Sequence, residues 1–169
     1  DVWTYDGFNW TQKCTSCPEA AGLRFPTAAY NPSTQKVMLY GSGFPNATDD
    51  TWEWDGSSAS YTKTCGSTTA CTGPKWSQTS AVYNTVLDRV LLFGGREAYN
   101  SQYNDELFAW DSTGSAFEKV VGGVNCFAAQ PGNNIGSVAC YDTSTDKVVL
   151  NGGWDGGFGT YNPTQYIWD

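Results

Sequence analysis

The sequence predicts an all-β protein assembled from a repeated unit of four short antiparallel strands. First, an apolar run closed by glycine recurs as Val37-Met38-Leu39-Tyr40-Gly41, Val90-Leu91-Leu92-Phe93-Gly94-Gly95 and Val148-Val149-Leu150-Asn151-Gly152-Gly153. Each copy follows an aromatic-Asx pair: Tyr30-Asn31, Tyr83-Asn84 and Tyr141-Asp142. Second, the step between copies, roughly 50 to 60 residues, belongs to radial or stacked repeat architectures. Third, 15% aromatic residues and 19 glycines suit short strands separated by tight turns.

Each unit reads in order as strands a, b, c and d. Strand a ends on the aromatic-Asx pair, and strand b is the apolar run. A polar, aromatic loop after the glycines leads to strand c, a short aromatic run ending in Asp. Its copies are Thr51-Trp52-Glu53-Trp54-Asp55, Leu107-Phe108-Ala109-Trp110-Asp111 and Tyr166-Ile167-Trp168-Asp169, and a fourth, Val2-Trp3-Thr4-Tyr5-Asp6, opens the sequence. Strand d carries Trp10, Tyr61 or Phe117 among alternating Ser, Thr, Gln or Lys. Trp54, Trp110 and Trp168 recur at one register, which marks them as core. The single domain 1–169 thus divides into strands c and d within 1–13, full units at 24–63 and 77–120, and a unit without strand d at 137–169.

A glycine doublet after an apolar strand, then an aromatic-Asp strand, then an aromatic on the last strand, resembles the kelch repeat. The segments Lys147-Val148-Val149-Leu150-Asn151-Gly152-Gly153 and Asp50-Thr51-Trp52-Glu53-Trp54-Asp55-Gly56 are similar to those of secreted bacterial and galactose-oxidase-like β-propellers. The resemblance implies four-stranded antiparallel blades fanned about an axis. It implies no single activity, because one fold hosts many functions. The first glycine pair departs from the pattern as Gly41-Ser42-Gly43. Only Arg24 stands where many kelch repeats have an arginine before strand a, with Ser77 and Ile135 in the corresponding places, so an arginine-lined inner ring is not expected.

Propellers close with four to eight blades, and about three are present here. In one reading these residues belong to a longer propeller whose other blades lie outside the sequence. In another, copies assemble head to tail, the opening c and d strands completing a neighbour's blade. The surplus strand c ending at Asp169 favours the first. Open edges also allow a structural subunit that polymerises into an extracellular sheath or filament.

The net charge of -8 repels phosphate backbones, so nucleic acid is not an expected partner. No apolar run is long enough to span a membrane. The N-terminal stretch lacks a signal-peptide pattern, and a mature form is expected. Six cysteines fall into local sets, Cys14 with Cys17, Cys65 with Cys71, and Cys126 with Cys140. Three local disulfides are the simplest map, and they place the protein outside the cell, as a secreted or extracellular species. Cys14, Cys17, Cys65 and Cys71 as a zinc site is the weaker alternative, because the second gap exceeds common zinc spacing. A thioredoxin-like reading of Cys14 and Cys17 lacks its βαβ context. Asn9-Trp10-Thr11 and Asn46-Ala47-Thr48 are glycosylation sequons, whereas proline blocks Asn31 and Asn162.

Antiparallel strands put the a–b and c–d turns on one side and the b–c and d–a loops on the other. The a–b turns are short and alike. The b–c loops vary and carry Phe44 in the first unit, Arg96, Glu97, Tyr99 and Tyr103 in the second, and Trp154, Asp155, Phe158 and Tyr161 in the third. Aromatic rings beside amides, carboxylates and arginine suit a protein or glycan ligand, with rings supplying contact area and polar groups meeting hydroxyls. The same aromatics also serve to pack neighbouring blades.

Catalysis is less well supported. The sequence has no histidine, the commonest general base and metal ligand, so these residues alone do not hold the copper centre of a galactose-oxidase-like enzyme. Arg24, Arg89 and Arg96 are too few for a sialidase-like cluster. Glu97, Asp105 and Asp155 are nominal glycosidase carboxylates, but each is equally a turn or cap residue. The sequence therefore favours an extracellular, non-catalytic binding module with no cofactor or metal, with a structural subunit or a propeller-enzyme fragment as the alternatives.

Overall fold

The computed structural model describes residues 1–15, 23, 25–41, 50–66, 71, 73–97, 104, 106–113, 115–121, 134–155, 160–161, 163 and 165–168. Every regular element among them is a strand. In chain order these are β1 (Val2–Tyr5), β2 (Trp10–Cys14), β3 (Thr27–Asn31), β4 (Lys36–Tyr40), β5 (Thr51–Asp55), β6 (Ser60–Cys65), β7 (Trp76–Ser77), β8 (Ser80–Asn84) and β9 (Arg89–Phe93). They continue as β10 (Arg96–Glu97), β11 (Leu107–Asp111), β12 (Ala116–Val121), β13 (Asn134–Ile135), β14 (Val138–Asp142), β15 (Lys147–Asn151), β16 (Trp154–Asp155), β17 (Thr160–Tyr161) and β18 (Gln165–Trp168).

Three larger antiparallel sheets follow the three copies of the repeat: β3-β4-β5-β6, β8-β9-β11-β12 and β14-β15-β18. The hairpin β1-β2 forms a sheet of its own, and two small sheets, β7-β10 and β13-β16-β17, arise from the loops. The fold is all-β, as the repeat pattern predicts.

The Asx residues close the turns. Asn31 Oδ1 accepts from Ser33 N at 2.9 Å and Thr34 N at 3.3 Å, and Asn84 Oδ1 accepts from Val86 N and Leu87 N, both at 2.9 Å. Asp142, Asp55 and Asp111 accept likewise from Ser144 N (2.9 Å), Ser57 N (2.8 Å) and Thr113 N (2.9 Å). An Asx oxygen imitating a backbone carbonyl in this way fixes a tight turn. The Ser57 hydroxyl and amide hold the Asp55 carboxyl below its usual range, and the Ser144 and Thr145 hydroxyls do the same for Asp142. One bulge also repeats: the register slips between Thr51 and Trp52, between Leu107 and Phe108, and between Val2 and Trp3. The opening hairpin is thus a structural copy of the c–d pair.

Alternation within the strands decides the packing. On β9, Val90 and Leu92 face the first sheet and cluster with Met38, Tyr40, Cys65 and Trp110. Leu91 and Phe93 face the third and cluster with Leu107, Ala109, Val148 and Leu150. The middle sheet is covered on both sides, which is why Val90-Leu91-Leu92-Phe93 is continuously apolar. Each such buried side chain contributes about 1.5–3 kcal/mol. In the first seam the buried Glu53 pairs with Lys36 Nζ at 3.1 Å and accepts from Trp110 Nε1 at 3.5 Å. Strand β8 lies between β3 and β14. Ser80 Oγ donates to Ser137 O at 2.5 Å, and Gly136 N donates to Gln78 O at 3.1 Å, fastening the second sheet to the third. Trp54 and Trp110 are both buried, as their recurrence predicts.

Cys65 and Cys71 form a disulfide, and Cys14 is disulfide-bonded, while its expected partner Cys17 lies outside the described residues. Cys140 corrects the expected map. It is a free, exposed thiol in place of a bridge to Cys126, because it stands mid-strand on the outward flank of β14, opposite Val149. Cys126 lies outside the described residues. No helix among the described residues is long and apolar enough to cross a membrane.

Candidate functional site

The glycine doublets build the candidate site. Gly94 and Gly152 share a φ of 67°, and Gly95 and Gly153 share 114°, backbone conformations that side chains resist. A Cβ on Gly95 would also lie 2.7 Å from Thr79 Cγ2 and 2.9 Å from Ser77 O. In the second and third units the doublet therefore folds the b–c loop back against the d–a connection of the same unit.

In the second unit the result is β7 against β10, with Ser77 opposite Arg96 and Trp76 opposite Glu97. Ser77 Oγ donates to Arg96 O at 3.2 Å. The loop is closed at its base by Asn104 N on Gly95 O at 2.9 Å and Gly94 N on Glu106 O at 3.3 Å. Asn104 is buried; its Oδ1 accepts from Glu106 N at 2.9 Å, and its Nδ2 has no partner among the described residues. In the third unit Ile135 faces Trp154 and Trp154 faces Tyr161 across β13-β16-β17. Along that row exposure rises from buried Ile135 through half-buried Trp154 to Tyr161, which is 86% exposed. The bond from Gly136 N to Gln78 O joins the segments that follow β13 and β7, so the two loop sheets are rooted side by side.

Of the sequence-predicted residues, Arg96 and Trp154 are half-buried, Tyr161 is exposed, and Glu97 and Asp155 are placed by their strands. Phe44, Tyr99, Tyr103 and Phe158 lie outside the described residues, as do the sequon residue Asn46 and Asp105. Asn9 is exposed in the β1-β2 turn. Among the described residues no three metal-ligating side chains converge.

One contributor escapes a sequence reading. Tyr40, fully buried on the first sheet, donates its hydroxyl to Pro74 O and accepts from Trp76 N at 3.1 Å, anchoring the connection that becomes β7. Its only signal is a polar ring where the other copies have Phe93 and Asn151. A separate groove of about 390 Å³ lies beside β12, lined by Val86, Leu87, Ala109 and Val120 with the ion-paired Arg89 and Glu118.

No protein-family model and no curated protein matches this sequence.

Proposed function

We propose that the chain is part of a kelch-type β-propeller that works outside the cell as a non-catalytic binding module, holding a protein or glycan through its b–c and d–a loops. The observation that carries this reading is the pairing of the b–c loop with the d–a connection in the second and third units, which presents the Trp154–Tyr161 row beside the loop that bears Arg96. Loops braced on a rigid sheet keep a recognition surface ordered before the ligand arrives, which lowers the entropic cost of binding. An exposed tyrosine ring gives stacking area to a sugar or side chain, while the half-buried Arg96 supplies a guanidinium that donates to ligand oxygens. The disulfide between Cys65 and Cys71 is compatible with an oxidising compartment.

The test is a glycan array and an extracellular-protein array probed with the wild-type chain, then with Tyr161→Ala and Arg96→Ala. Binding to a restricted set, weakened roughly tenfold or more by each substitution with melting of Tyr161→Ala unchanged, supports the reading. Absence of any specific partner, or binding indifferent to both substitutions, overturns it.

A further inference from the structure

Two buried polar groups of the second unit lack a match, and both residues lie against one glycine. Thr79 is 9% exposed and Asn104 is 4% exposed, yet Thr79 Oγ1 and Asn104 Nδ2 have no partner among the described residues. Thr79 meets Gly95 from the d–a connection, its Cγ2 standing 2.7 Å from where a Cβ on that glycine would be. Asn104 meets it from the far end of the b–c loop, its backbone N donating to Gly95 O at 2.9 Å. The two groups therefore belong to the base of the loop that bears Arg96. This is the middle unit, whose sheet is covered on both flanks by its described neighbours.

Turning the Asn104 amide over does not supply the match. Its Oδ1 already accepts from Glu106 N at 2.9 Å, so the reversed amide would set a donor against a donor. The other units avoid the difficulty at the position of Thr79. Pro26 has no hydroxyl, and Ser137 Oγ lies 2.7 Å from Ser80 Oγ. Buried polar groups in folded proteins are matched by protein or by ordered water, and two unmatched ones on one glycine point to a shared partner.

We propose that an internal water molecule binds at the base of this loop, accepting from Asn104 Nδ2 and exchanging a hydrogen bond with Thr79 Oγ1. Water suits the pair because it offers lone pairs to the amide and takes either role toward the hydroxyl. A metal cation does not, since the amide presents protons to it. An anion would give up its hydration inside a chain of net charge -8. The bridge joins the end of the b–c loop to the residue just ahead of β8, so it fastens the loop to the second sheet, while Tyr40 holds β7 from the first. This holds whatever the loop binds.

The experiment is oxygen-17 relaxation dispersion of the solvent around the full chain, which counts waters that tumble with the protein and is blind to hydroxyl protons. Wild type is compared with Thr79→Val, which keeps the shape of threonine without its hydroxyl, and with Thr79→Ser, which keeps the hydroxyl. Near-ultraviolet dichroism verifies folding. Thr79→Val is expected to hold one long-lived water fewer, and Thr79→Ser to hold as many as wild type. Losing the bridge also leaves the Asn104 amide unmatched, so the urea midpoint of Thr79→Val falls and exchange of the Asn104 backbone amide quickens roughly tenfold. An unchanged water count in Thr79→Val overturns the proposal. So does a raised midpoint, because valine would then have replaced a hydroxyl that had no partner at all. Loss of the water in Thr79→Ser as well would show that the hydroxyl does not hold it, and overturns the bridge equally.

Discussion

Replacing Tyr40 with phenylalanine isolates the coupling between the first sheet and the loop surface. The ring is fully buried and lies edge-on to Phe117, with centroids 5.6 Å apart, so Tyr40→Phe keeps the packing and opens no cavity. What disappears is one hydroxyl with two partners, the buried Pro74 carbonyl and the Trp76 amide. Leaving a buried polar group unmatched costs about 1–3 kcal/mol. Trp76 is half-buried, so water restores part of its share, and the total comes to about 2–4 kcal/mol. For a chain of this size that is a fall in Tm of roughly 5–15 °C. Urea unfolding followed by tryptophan fluorescence measures the stability, and hydrogen exchange at the Trp76 amide reports the local effect. Destabilisation below about 0.5 kcal/mol with unchanged protection at Trp76 would refute the claim that Tyr40 anchors β7.

Leu91→Ala, in the seam between the second and third sheets, is expected to cost about 2–5 kcal/mol in urea unfolding, whereas Leu87→Ala at an exposed turn position stays within about 0.5 kcal/mol. Removing the Cys65–Cys71 bridge, which spans a sequence separation of 6, lowers stability by about 2 kcal/mol in the loop-closure model, read from melts of Cys71→Ser. Asp6, Asp55, Asp88 and Asp142 all titrate below the usual 3.8 in the folded chain, Asp6 because the Asn9 and Phe8 amides donate to it and Asp88 because of the Ser33 and Tyr83 hydroxyls. The unfolded chain therefore binds protons first. Their stabilisation is complete above 3.8 and is lost as pH falls through the lowered values, so Tm should hold between neutrality and about pH 4 and decline below it. Asn at these four positions should flatten that decline.

The repeat was legible because two constraints act on neighbouring residues. Val90-Leu91-Leu92-Phe93 is continuously apolar since the middle sheet is covered on both flanks, and Asn31, Asn84 and Asp142 recur since each caps a turn. The short loop strands left no such trace. Trp76–Ser77 and Arg96–Glu97 are too brief for alternation, and their pairing follows from the dihedral angles of Gly94 and Gly95 rather than from their own residue types. The loop residues Arg96, Trp154 and Tyr161 could be named from composition, but their exposure depends on which neighbour covers them. The Cys126–Cys140 pairing failed for a similar reason: proximity in sequence says nothing about the flank on which Cys140 points. Tyr40 was invisible as an anchor because its partners come from the next unit.

Successive sheets pack flank on flank, the first unit burying its strand b against strands b and c of the second. Met38 is the one methionine of the sequence, and it sits in that seam with Val90, Leu92 and Trp110. Methyl-labelled methionine gives a single resonance, and nuclear Overhauser contacts from it read the seam directly. Cross-peaks are expected to side chains of the second unit, Val90, Leu92 or the Trp110 indole, with the methyl shielded from a soluble paramagnetic agent. A methyl that sees only residues of its own unit, or that is broadened by the agent, would contradict it.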